Sequence, residues 1–233
     1  MSRELPILFN TEMVRANLDG RKNCTRRIVK GFIPNDAVWG YTAFTPKGCI
    51  SCRGTFADGY GEKFFKLPYQ TGDILYVRET WYKDKYRYMY RANYSDSEKF
   101  YRDGKEAKIK WHPSIHMPKE AARIWLKVTE VRVERLQEIT EAGAEAEGIR
   151  GYTKDGNLYK YAVTDDWWID YHNKHKEIVT GTWWQDMPRT AKDAFSYLWN
   201  STIKKSDLDL YGWNANPWVW TIEYERCEKP EGV

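Results

Sequence analysis

The run Ile124-Trp125-Leu126-Lys127-Val128-Thr129-Glu130-Val131-Arg132-Val133 carries the longest strand signal in the chain. Ile124, Leu126 and Val128 recur at every second position, the period of a strand with one buried face. Val131 and Val133 resume the alternation one position out of step. A bulge or bend is therefore expected near Thr129-Glu130.

Other strands lie on either side of this run. Gly72-Asp73 makes a turn into Ile74-Leu75-Tyr76-Val77-Arg78-Glu79-Thr80-Trp81, which begins apolar on both faces, as a central strand does. Tyr86 to Ala92 reads as another strand. Asn216-Pro217 breaks the chain before a last one, Trp218 to Glu225, whose Trp218 and Trp220 are assigned to the core. Residues 31–70 read as short strand pieces, such as Val38 to Phe44, between turn residues.

Three short helices interrupt the strands. Asn10 or Thr11 followed by Glu12 marks a helix start, and Gly20 a stop, giving a helix over 11–19. Ile139 to Ile149 predicts a second, with Ile139, Ala142, Ala146 and Ile149 on one face and Gly143 leaving space beside Glu147. Thr190-Ala191-Lys192-Asp193 is a capping box opening a third, whose Ala191, Ala194, Phe195, Leu198 and Trp199 form one apolar face. Together these elements argue for a single α+β domain over residues 1–233, built around a curved mixed sheet or small barrel. The Trp-rich stretch at about 150–188 reads as an insertion.

Composition narrows the function classes. With 42% hydrophobic and 30% charged residues a packed core is available, which excludes wholesale disorder. No apolar run approaches the roughly 18 residues of a membrane span, and the N-terminus has no signal-peptide stretch, so a cytoplasmic protein without a membrane partner is expected. The net charge of +4 excludes a histone-like polycation. Positive charge is concentrated instead. Arg15, Arg21, Lys22, Arg26, Arg27 and Lys30, against Asp19 alone, give residues 15–30 a net +5. Cys49-Ile50-Ser51-Cys52 is half of a zinc-ribbon signature without its second half, and His112 with His116 would have to complete a ligand set. A β-turn with two reduced thiols is the expected structure, with no metal and no cofactor.

Several blocks carry a resemblance. Gly20-Arg21-Lys22-x-x-Thr25-x-Arg27 after a short helix, then Gly72-Asp73-Ile74-Leu75-Tyr76-Val77, then Thr140 to Ile149, resemble the ASCH domain family of the PUA-like superfamily. Pro6 to Phe9, Arg78-Glu79-Thr80-Trp81, Trp111 to Pro118 and Asn216-Pro217-Trp218-Val219-Trp220 resemble phage and prophage members, often labelled morphogenetic. The resemblance implies a PUA-like β-barrel related to RNA-binding modules, in a bacterial or phage-infected cell. One bacterial branch of the family removes the acetyl group from N4-acetylcytidine with a Lys, a Thr and a Glu. The matching positions here are Lys22, Thr25 and Glu147. That branch is about half as long as this chain.

The residue types suit amide hydrolysis, which needs a nucleophile, a proton shuttle and an oxyanion stabiliser. Thr25 would attack or position a water, and Lys22 would take the proton if its pKa fell from about 10.4. Arg21, Arg26, Arg27 and Lys30 are expected to lower it by like-charge repulsion. Glu147 would accept from the cytosine amino group or protonate the leaving amine, and Arg27 would clamp the oxyanion or carbonyl. Arg21, Arg26, Arg27, Glu79, Trp81, His112, Ser114 and His116 are the candidate binding residues. The expected partner is a modified pyrimidine nucleoside, or RNA or DNA containing one.

Two competing readings stand beside this one. A basic segment commonly contacts phosphates without chemistry, which makes the chain a base-binding module. In a phage assembly or host-interaction protein, the fold is only a scaffold. Hydrolysis requires Lys22, Thr25 and Glu147 to converge around a site about 3 Å from each. A scaffold would leave Lys22 paired to a carboxylate and the cleft filled.

Overall fold

A computed structural model describes residues 3–95, 98–102, 105–163 and 187–230. The first half runs β1 (Glu4–Leu8), α1 (Thr11–Leu18), β2 (Cys24–Ile28), β3 (Val38–Gly40), β4 (Cys49–Phe56), β5 (Gly59–Lys66), β6 (Ile74–Arg78), β7 (Trp81–Lys83) and β8 (Tyr88–Tyr90). The second half runs β9 (Phe100–Arg102), β10 (Lys105–Ala107), β11 (Trp125–Arg135), α2 (Glu141–Ala146), β12 (Arg150–Thr153), β13 (Tyr159–Ala162), α3 (Ala191–Thr202), α4 (Leu208–Tyr211) and β14 (Trp218–Cys227).

A mixed five-stranded sheet in the order β1-β6-β11-β14-β2 organises the α+β fold. β1 and β6 are parallel and the other pairs antiparallel. The β11–β14 ladder is its spine, and its register shifts between Val128 and Glu130, where the alternation slips in the sequence. Ile7, Leu75, Val77, Leu126, Val128, Ile222 and Tyr224 form the core on one side. Each large aliphatic side chain buried there contributes about 1.5–3 kcal/mol relative to exposure. Leu136, Ile139, Phe195, Leu198, Trp199 and Val219 form a second cluster, which fixes α3.

The sheet does not close into a barrel. β1 and β2 are its two edges, linked by α1, and the Arg27 guanidinium reaches the Leu8 carbonyl (3.0 Å) without a strand ladder forming. Residues 31–70 are more regular than their composition implies, for β3, β4 and β5 make a separate antiparallel sheet. The strand expected from Val38 to Phe44 ends at Gly40. Cys49 and Cys52 lie in β4 rather than in a turn, three positions apart and thus on opposite faces. Trp220 is buried, whereas Trp218 is half-buried under the Arg135 guanidinium.

The helices follow their caps. Asn10 accepts from the Met13 N–H (2.8 Å), and Thr190 from the Asp193 N–H (3.0 Å). The apolar face expected of α3 is the buried one. On α2, by contrast, Ala144 is buried and Ala142 exposed. Ile139 and Ile149 lie outside this six-residue helix, so helical spacing cannot be carried across its ends. Within the expected insertion, β12 and β13 form a hairpin. Residues 164–186, with His172, His175 and two Trp pairs, lie outside the described residues. No helix among the described residues is long and apolar enough to cross a membrane.

Candidate active site

The site is made where the turn after α1 meets the end of α2. Gly20, at φ +74°, ends α1 in the left-handed region, and the Arg21 and Lys22 amides fold back onto the Ala16 carbonyl (2.9 and 3.0 Å). The Asn17 side-chain amide holds the Lys22 carbonyl (3.1 Å). This reversal sends the Lys22 side chain towards Glu147, which caps the C-terminus of α2.

The Lys22 ammonium donates to Glu147 Oε2 (2.5 Å), to the Glu147 carbonyl (3.0 Å) and to the Cys24 carbonyl (2.7 Å). Glu147 Oε1 accepts from Arg26 Nη1 (3.3 Å). Arg26 also grips Glu134 through Nε and Nη2 (2.9 and 2.6 Å). Lys22 has no exposed side-chain surface, and Arg26 and Glu147 keep 2% and 3%. Gly148, at φ +106°, follows directly. A Cβ there would sit 2.9 Å from the Ala16 Cβ, so only glycine lets α2 close onto α1.

Electrostatics at this cluster are set by burial. Loss of water pulls the Lys22 pKa below its ordinary value, the Glu147 carboxylate opposes this, and Arg27 adds a smaller push downward. Desolvation thus takes the part expected of the neighbouring cations. Two of those cations are engaged with acceptors of their own: Arg21 with Asp19 and the Gly148 carbonyl, Arg26 with two carboxylates. Burial also works against the charge on Arg26, but Glu147, Cys24 and Glu134 more than offset it. The Cys24 thiol, 3.8 Å from Arg26 Nη1, is pushed up to about 12, first by burial and then by Glu147, and so stays protonated.

A cavity of about 130 Å³ opens beside Glu147. Arg26, Arg27 and Glu147 form its polar wall, and Phe195, Leu198 and Trp199 of α3 form the apolar one. It is far smaller than the ~300–1,000 Å³ common for ligand pockets.

The structure brings some expected residues together and leaves others apart. Lys22 and Glu147 meet across 125 positions of sequence, joined by Arg26. Arg27 and Arg21 border them. The Thr25 hydroxyl is buried with no hydrogen-bond partner among the described residues, and it does not line the cavity. The carboxylate paired with Lys22 is Glu147 itself, and the cleft beside them is not filled.

The remaining candidates lie elsewhere, none on the cavity wall. Glu79 is buried in a two-pronged pair with Arg123 (2.8 and 2.9 Å). Trp81 exchanges backbone hydrogen bonds with His112 and packs against its ring. Ser114 and His116 bound a single 3-10 turn. Sequence reasoning missed Cys24 and Glu134 at the cluster, and it read Phe195 and Trp199 only as core. Their periodicity marks an apolar face, but nothing in the sequence says that part of that face borders β2.

No protein-family model, curated protein or solved structure matches this chain.

Proposed function

We propose that this chain hydrolyses an acyl amide on the exocyclic amine of a pyrimidine, N4-acetylcytidine being the type substrate. One observation carries the reading: a fully buried Lys22–Glu147 pair behind the wall of a small cavity. Burying an ion pair stabilises a fold little compared with apolar packing. A lysine whose pKa is lowered by burial beside a carboxylate, next to a cavity, is the arrangement that proton transfer needs. We read the open sheet as PUA-like on the same footing.

The pyrimidine ring lies against Phe195 and Trp199, with its acylamino group towards Glu147. Water adds to the amide carbonyl carbon and its proton passes to the Glu147–Lys22 pair. The Arg27 guanidinium faces the oxyanion. Collapse of the adduct breaks the C–N bond, and the same pair returns a proton to the leaving ring amine. The products are the free amine and a carboxylate. Thr25 has no direct role in this version, because its hydroxyl lies off the cavity.

A second reading, base recognition without hydrolysis, is favoured by one feature. The three protons of the Lys22 ammonium already have three acceptors. Chromatography of N4-acetylcytidine incubated with the protein separates the two. Cytidine and acetate are expected from the wild type, falling by about 10²–10⁴-fold in Lys22→Ala and Glu147→Ala. Intact substrate after incubation with the folded wild type would overturn hydrolysis and leave recognition.

A further inference from the structure

Away from this cavity, two grooves of about 720 and 400 Å³ share Lys47, Gly48, Cys49, Gln70 and Thr71 as walls, and so form one open trough. Arg3, Lys47 and Lys66 border the larger groove. Its carboxylate, Asp73, is already held by the Arg3 guanidinium and by the Gln70 amide (2.7 Å). Lys47 and Lys66 are exposed, and neither makes an ion pair among the described residues. Tyr41, 68% exposed, borders the smaller groove, and Phe44, 83% exposed, stands in the same loop. On β5, Tyr60, Phe64 and Lys66 share one face, Phe64 opposite Ser51 and Lys66 opposite Cys49. Glu62, the acid among them, accepts from the Ser51 and Thr42 hydroxyls.

Cations without carboxylate partners, interleaved with flat rings facing water, match a strand of alternating phosphates and unstacked bases. A duplex hides its base faces, and a bare polyanion leaves the rings unused. We infer that the trough, with the outer face of the β3–β4–β5 sheet, binds single-stranded nucleic acid. Lys47 and Lys66 contact phosphates, and Tyr41, Phe44 and Phe64 stack on bases. The inference is independent of the hydrolytic cavity.

Fluorescence anisotropy of a labelled single strand of about 12 nucleotides, with the full chain, tests it. Saturable binding is expected, with log Kd linear in log salt concentration. Lys47→Ala with Lys66→Ala should weaken it at least tenfold and lower the salt slope by about 1.4, since each phosphate neutralised contributes about 0.7. Tyr41→Ala with Phe44→Ala should weaken it about tenfold and leave the slope unchanged. These side chains are exposed, so the variants should keep the wild-type circular dichroism. Three results would overturn the inference: no binding at low salt by folded wild type, equal affinity for a duplex of the same length, or displacement by inorganic polyphosphate with the ring variants unaffected. A protein that binds the strand but leaves N4-acetylcytidine intact loses the cavity reading alone. One that hydrolyses the nucleoside but ignores the strand loses this one alone.

Discussion

Lys22 shows how one side chain takes its chemistry from its surroundings. Burial lowers its pKa, so deprotonation begins below the ordinary 10.5. If the neutral amine accepts the attacking water's proton, kcat/KM should rise with pH through a midpoint below 10.5, and Lys22→Arg, which stays charged, should abolish the rise. Stability has the same sign. Between the lowered folded value and 10.5 the unfolded chain holds the extra proton, so this group makes stability increase with pH in that window. Removing one partner leaves the other charge buried. Glu147→Gln should cost about 3–5 kcal/mol in urea denaturation, and adding Lys22→Met should restore most of it. Equal losses in the single and double variants would show that the pair is not the source of the cost. Both residues stand out in the sequence through the family resemblance, but their contact does not. A separation of 125 positions carries no periodic signal.

At the scale of elements, the site depends on how α2 and α3 are held. Glu141 reads in the sequence as a helix-surface carboxylate. In the fold its Oε2 accepts from the Ala191 N–H (2.7 Å) at the start of α3, beside the Thr190 cap. Glu141→Ala should therefore cost about 1 kcal/mol, the usual loss on removing a cap. A thermal midpoint unchanged from wild type would show that Thr190 suffices. Gly148→Ala faces both a positive φ and the Ala16 Cβ, so it should destabilise the chain and shift Glu147 away from Lys22. Its expected signature is a loss of hydrolysis larger than the loss of folded protein. Local signals made both ends of α1 and the start of α3 legible, because a capping residue acts within one turn. Strands β4 and β5 were obscured because Gly54, Gly59 and Gly61 interrupt their alternation, while the ladder between them supplies the missing order.

Over the whole molecule, the β11–β14 ladder should be the last part to open. Hydrogen exchange should be slowest at the amides of Ile222 and Tyr224, which lie in the strand paired on both sides. Acid should weaken the fold through Glu134. Its burial resists ionisation, but Arg26 first, aided by Thr221 and Arg132, holds its pKa below the ordinary 4.5. The stability it supplies is present above 4.5 and is lost as pH falls through the lower, folded value. Glu134→Gln should flatten that part of the acid-denaturation curve. The sequence by itself determined the α+β class, the bulge near Thr129-Glu130, two helix caps and the apolar face of α3. All of these are written in periods of two or 3.6 residues or in capping chemistry, interactions that span a few positions. Only the tertiary structure decided that β1 and β2 remain separate edges, that Glu147 rather than Thr25 engages Lys22, and that the cavity beside them measures about 130 Å³. Those outcomes depend on which distant surfaces are buried together, and local spacing does not encode burial between distant segments.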